Sequence, residues 1–191
     1  HEYHHPKLAE YLERAIYVCP HCGLSEFESR GDVITCKKCE MQIRYLPNTR
    51  LQGINCNFPF PYVSQWYHHQ CDFVNALDLT AYTDTPMYRD RVQMLEVIPY
   101  KNKQKIFAET ELRLYGNRIE VGSETAPDYT FSFDETGMVT VLGKNKINLY
   151  FGDKLYQFWG CERFNALRYV NIFHHYLNCK EGAEHGQFLG L

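Results

Sequence analysis

A chain of 191 residues suits one or two small domains. It is 45% hydrophobic and carries 15 Tyr and 12 Phe, enough apolar surface to bury a core, which excludes a disordered chain. The net charge is −3, from 20 basic and 23 acidic side chains, so there is no overall basic face of the kind that general nucleic-acid binding needs. The deficit falls in 51–90, where Arg89 stands against Asp72, Asp78, Asp84 and Asp90. No run approaches 18 consecutive apolar residues, the length that marks a membrane-spanning helix. The opening His1-Glu2-Tyr3-His4-His5 is polar and lacks the apolar stretch of a secretory leader. Without an initial Met, the expectation is a piece of a longer polypeptide whose remainder can carry activity.

The first element predicted is a short amphipathic helix. Pro6 opens it, Leu8, Tyr11, Leu12 and Ala15 form its apolar stripe, and Glu10 pairs with Arg14 outside. It leads into Cys19-Pro20-His21-Cys22-Gly23, answered after thirteen intervening residues by Cys36-Lys37-Lys38-Cys39. Two Cys-x-x-Cys pairs are the strongest signal in the chain, because four thiolates at tetrahedral reach form a closed structural Zn²⁺ site. Pro20 pre-sets φ and Gly23 lets the backbone fold beneath the ion. Between the pairs, Phe27 sits among polar neighbours, Gly31-Asp32 supplies a turn, and Val33-Ile34-Thr35 is β-branched, which reads as a hairpin. Met41, Ile43 and Tyr45 alternate with Gln42 and Arg44 as a third strand, completing a zinc ribbon over residues 1–50. The competing readings of the cysteines are two disulfides or a redox dithiol, and a reducing, cytoplasmic compartment disfavours the first.

Residues 51–90 read as a connector with one amphipathic helix. Pro47, Gly53, Pro59 and Pro61 punctuate the stretch 47–61, which reads as a connector. A helix from about Tyr62 to Leu77 puts Val63, Trp66, Tyr67, Gln70, Val74 and Leu77 on one face. Its His68-His69-Gln70-Cys71-Asp72 run invites a metal site. Adjacent His68 and His69 point about 100° apart and do not share an ion easily, so packed or surface histidines are the reading. Thr80 to Asp90 is predicted as a polar loop.

From about Arg91 the pattern changes to strands, over a domain drawn as 91–180 with a tail at 181–191. Val92 to Ile98 is the first. Ile106, Ala108, Thr110, Leu112 and Leu114 alternate with polar neighbours in the second. Ile119 and Val121, Tyr129 to Phe133, Val139 to Leu142, Ile147 to Phe151, and Leu155 to Phe158 follow, with Gly116-Asn117 and Gly152-Asp153 as turns. A terminal helix has the stripe Phe164, Leu167, Val170, His174 and Leu177, widened by Ala166 and Phe173. The fold class expected is α+β, mainly β: a zinc ribbon, then about seven antiparallel strands and a C-terminal helix that resemble a pleckstrin-homology-like (PH-like) barrel. An open α+β sheet crossed by the helix is the alternative.

Ile16-Tyr17-Val18-Cys19-Pro20-His21-Cys22-Gly23, Val141-Leu142-Gly143-Lys144-Asn145-Lys146 and Gly186-Gln187-Phe188-Leu189-Gly190-Leu191 together resemble the C-terminal accessory region of bacterial 1-acylglycerol-3-phosphate acyltransferase-like proteins. The resemblance implies a parent enzyme that acylates lysophosphatidic acid at the inner face of the membrane, with an upstream catalytic domain as this region's partner. That family's His-x-x-x-x-Asp signature is absent here: Phe73 and Val74 stand where His68 and His69 would need Asp. No catalytic residue carries over, and this chain is not expected to be catalytic by itself. Cys161 with His174 or His175 as nucleophile and base has no placed geometry.

Two ligand sets remain. Cys19, Cys22, Cys36 and Cys39 are expected to hold structural zinc. Lys101, Lys103, Lys105, Lys144 and Lys146 bracket two turns of the β domain, where the PH-like resemblance implies contact with an anionic membrane surface; ordinary solvated turns are the plain reading. A nucleic-acid-binding zinc ribbon is the rival function, motivated by Lys37, Lys38 and Arg44, although Glu26, Glu28, Asp32 and Glu40 offset them.

Overall fold

The computed structural model describes residues 5–99 and 101–181, which fall into two compact units that part between Ala76 and Leu77. The tail expected beyond Glu181, with Gly186–Leu191, lies outside the described residues.

In the first unit, β1 (Val18–Cys19) and β2 (Gly23–Leu24) pair around the first cysteine turn. Then β3 (Phe27–Arg30), β4 (Val33–Cys36), β5 (Gln42–Tyr45) and β6 (Leu51–Gly53) make a four-stranded antiparallel sheet in chain order. The hairpin and third strand stand where the β-branched run and the alternation put them. The fourth strand corrects the reading of 47–61 as a bare connector. Leu51-Gln52-Gly53 pairs with Ile43–Tyr45 inside the proline-rich stretch, and Leu51 N–H donates to Pro61 C=O (2.8 Å).

The predicted helix over 6–15 is also corrected, to a single 3₁₀ turn at Leu12–Arg14. Its would-be donors are spent on the hairpin: Ala9 N–H bonds Gly31 C=O (2.8 Å) and Tyr11 N–H bonds Ser29 Oγ (2.9 Å). Tyr11 sits at φ 71°, which no right-handed helix allows. Glu10 accepts from Gly31 N–H, and Arg14 lies over the Tyr11 ring.

The helix α1 (Val63–Asn75) packs into this unit's core. Trp66 is fully buried edge-on against Phe27 and Phe58 and donates its indole N–H to Val18 C=O (2.8 Å). One turn on, buried Gln70 accepts from Tyr17 and Val18 N–H (2.7 and 3.1 Å) and donates to Ala15 C=O (2.9 Å). A buried amide is tolerated only when such partners are supplied, and here they come from the backbone that leads to Cys19.

In the second unit a 3₁₀ turn at Leu79–Tyr82 precedes β7 (Tyr88–Val97), so the predicted loop 80–90 is partly structured and the first strand begins earlier than expected. There follow β8 (Gln104–Leu114), β9 (Arg118–Gly122), β10 (Pro127–Ser132), β11 (Thr136–Leu142), β12 (Lys146–Phe151), β13 (Lys154–Gly160) and α2 (Leu167–Glu181). All pairings are antiparallel, in the order β10-β9-β8-β7-β13-β12-β11. Two meanders are thus joined where the first strand pairs with the last, and the sheet curls into a half-barrel around Met94, Leu112, Phe131, Val139, Leu149 and Phe158. This is the mainly β class expected, seven antiparallel strands followed by a helix, although β10 and β11 stay unpaired to each other, so the half-barrel is not bonded shut. On β8, Thr110, Leu112 and Leu114 are buried as the alternation requires, but Arg113 between them is buried too. Register shifts at Val92/Met94 and Met94/Leu95 break the alternation before Thr110, and Ala108 is exposed.

The buried face of α2 is turned from the predicted stripe. Arg168, Tyr169, Ile172, Phe173 and His175 are buried, while Leu167, Val170, His174 and Leu177 are only half-buried. The physical cause is Asp90 on β7. It takes both its carboxylate oxygens to Arg168 (2.6 Å each) and accepts the Tyr169 hydroxyl (2.6 Å). Burial works against the guanidinium's charge, but Asp90 and the nearby Tyr169 and Tyr88 outweigh it and raise its pKa. Asp90→Ala leaves a buried cation without its carboxylate and is expected to destabilise this unit by about 3–5 kcal/mol. Urea unfolding followed by circular dichroism checks this, and Asp90→Leu with Arg168→Met should recover most of the loss.

Candidate metal centre

Each cysteine pair sits on a tight turn at a strand end. Cys19 closes β1 and Cys22 precedes β2; Cys36 closes β4 and Cys39 follows in the turn toward β5. The four sulfurs lie within 4.8 Å of one another. Cys19 Sγ is 3.6 Å from Cys39 Sγ, and Cys22 Sγ is 3.6 Å from Cys36 Sγ, so the close contacts run between the two turns. Four thiolates about 2.3 Å from one tetrahedral ion stand roughly 3.8 Å apart. The observed cluster has that scale and can hold a metal ion.

The two turns solve the same problem twice. Cys19 Sγ accepts backbone N–H bonds from His21 and Cys22, and Cys36 Sγ accepts them from Lys38 and Cys39. Burial pushes the Cys19 thiol well up and lifts Cys22 to about 11. Cys36 is buried too, but the Ser25 hydroxyl (3.0 Å) and the two backbone donors outweigh burial and bring it to about 7. After each second cysteine the chain enters the left-handed region, at Gly23 (φ 76°) and at Glu40 (φ 59°). Glycine takes that conformation without strain and Glu does not. Asn55 steadies the strained turn, donating to Glu40 C=O (2.9 Å) and accepting from Gln42 N–H (2.8 Å). Ser25 and Asn55 were not legible as site residues, since neither lies in a ligand motif.

The other candidates separate. His68 is exposed and His69 stacks on Phe60, with centroids 5.0 Å apart. Among the described residues the four cysteines are the one cluster of three or more His, Cys, Asp or Glu that can share an ion. Cys161 is exposed, His174 lies half-buried against Phe173, and His175 bonds Leu77 C=O (2.8 Å). On the ribbon, Lys38 donates to Cys22 C=O (3.1 Å) and Arg44 pairs with Asp32 (3.1 Å). Of the five turn lysines, two meet. Lys146 Nζ is 4.0 Å and Lys103 Nζ 5.1 Å from the ring centre of Trp159, while Lys101, Lys105 and Lys144 are exposed. Asn145 fixes the later turn by donating to Gly160 C=O (2.8 Å) and Cys161 C=O (3.1 Å). Trp159 went unread because its role depends on cross-strand register opposite Lys146.

No protein-family model matches the chain, and no curated protein matches it in sequence. Among solved structures it is similar to the N-terminal PH domain of human ARAP2 protein, solved in solution. The identity is 14% and the TM-score 0.36, over 48% of this chain and 81% of that one.

Glu40→Gly is expected to stabilise the ribbon by about 1 kcal/mol, because it relieves the left-handed strain and leaves the sulfurs in place. The readout is the ribbon's unfolding midpoint. The same change at the exposed, right-handed Lys37 should bring no gain.

Proposed function

We propose that this chain is a non-catalytic accessory module, in which a zinc ribbon gives one rigid platform and the PH-like unit contacts an anionic membrane surface. The observation that carries the second part is the meeting of Lys103 and Lys146 on Trp159, which joins two lysine-bearing turns at one rim. Two cations gathered at one indole ring bring positive charge from both turns together for a phosphorylated headgroup. The module's place beside an upstream acyltransferase domain, at the inner face of the membrane, is supported by the resemblance noted in the sequence. A His-x-x-x-x-Asp signature upstream in the same polypeptide is the observation to seek.

The chemistry of the donor set supports zinc. Four sulfurs fill a tetrahedron and exclude a water or substrate position, which makes the site structural. In this role Cys19, Cys22, Cys36 and Cys39 hold the ion, while Ser25 and the backbone donors orient the sulfurs. Elemental analysis of protein purified under reducing conditions is expected to give one Zn²⁺ per chain. Cys19→Ser should abolish it and loosen the first unit, since in small sites metal affinity is folding energy. Iron, or no metal, would overturn the assignment.

For the rim, vesicle co-sedimentation at low salt should rise with anionic lipid content. Each lysine near such a surface is worth about 1 kcal/mol, so Lys103→Ala with Lys146→Ala should weaken binding roughly 30-fold. Lys37→Ala with Lys38→Ala should leave it unchanged. A chain that stays in the supernatant at every lipid composition would remove the membrane contact and leave a protein-docking module.

A further inference from the structure

The two edges of the seven-stranded sheet are unlike. At one edge, β10 carries Pro127 and Asp128 and a register shift between Pro127 and Tyr129. Proline, charge and bulges are what keep an edge strand from recruiting another strand. At the other edge, β11 reads Thr136-Gly137-Met138-Val139-Thr140-Val141-Leu142, with no charge and no proline over its whole length. Among the described residues of this unit, the exposed large apolar side chains are all here: Met138 (49%), Val141 (40%) and Leu142 (38%) on β11, and Tyr150 (41%) opposite Met138 on β12. Lys180 from α2 meets Asp134 just before the strand begins (2.5 Å), and the apolar side chains lie beyond that point.

We infer that β11 is a self-association edge, on which a second copy of this chain pairs antiparallel. The strand is complementary to itself. With the two-fold axis at Thr140, Met138 stands opposite Leu142 of the second copy and buried Val139 opposite its Val141, so the exposed Met138 and Leu142 cover one another. In the same register the turn before β11, with exposed Glu135, comes beside the turn after β11 of the other copy, with exposed Lys144, and the symmetry makes this contact twice. Any one-residue slip would set side chains that now share a face on opposite faces. Because β10 is guarded, only one edge of this sheet is open to pairing, and pairing through it closes at two copies. Seven residues a side make a small interface, so the association is micromolar and not nanomolar.

Sedimentation equilibrium of the full chain, from micromolar to near-millimolar concentration, should show a monomer–dimer equilibrium. Thr140→Lys sets two like charges on the axis and should weaken the dimer at least tenfold, as should Met138→Lys, whose side chain is already in solvent. Ile54→Lys, equally exposed but in the first unit, should leave the dimer intact. Circular dichroism establishes that each variant is folded, and if Thr140→Lys is not, Met138→Lys decides. A wild-type chain that is monomeric throughout, a dimer indifferent to the folded edge variant, or growth beyond two copies would each overturn the proposal.

Discussion

A guanidinium taken out of water must be met by a carboxylate, and in the second unit Asp90 meets Arg168 from the strand on which the sheet turns. β7 is hydrogen-bonded to β8 on one side and to β13 on the other, so it joins both meanders. The same strand holds α2 through Asp90, which grips two successive residues of the helix, Arg168 and Tyr169. Helix rotation, the choice of buried face and the seating of Phe173 against Phe133 all follow from that grip. A second buried cation repeats the theme farther along the sheet: Arg113 on β8 is held by Glu111, Glu120 and the carbonyls of Gly122 and Ser123. Ionic groups inside this unit fix register and orientation as much as stability.

The first unit uses another means to the same end. Its strands are two to four residues long, too short to define a fold by pairing alone. Order comes from the convergence of four sulfurs at one point, and from Trp66 and Gln70, which bond the backbone beside the first cysteine turn. The ribbon therefore rests on polar contacts to backbone atoms and on ligand geometry, with a modest apolar cluster around Ile34, Ile43 and Phe27.

What was legible in the sequence was whatever depends on short spacing. The cysteine pairs, the β-branched hairpin, the number of strands in the β domain and the existence of the two later helices are local patterns, and they stand as read. What was not legible depends on partners distant in the chain. The stripe on α2 was misplaced because Arg168 counts as polar until Asp90, 78 residues earlier, is seen to answer it. The 6–15 segment has helical spacing, but Gly31 and Ser29 take its donors. β6 hides among prolines because three residues are enough to pair when Tyr45 is already in place. At the candidate sites, the clustering of the four cysteines was readable from spacing; Ser25, Asn55 and Trp159 were not, since each acts across strands.

Gln70 has a consequence that reaches past packing. Its amide fixes the backbone at Ala15, Tyr17 and Val18, immediately upstream of Cys19, so one half of the ligand set is held by a helix that contributes no ligand. The other half hangs on a strained turn held by Asn55. Both cysteine turns are thus braced by residues that supply no sulfur, one by a helix and the other by a side chain beyond the hairpin.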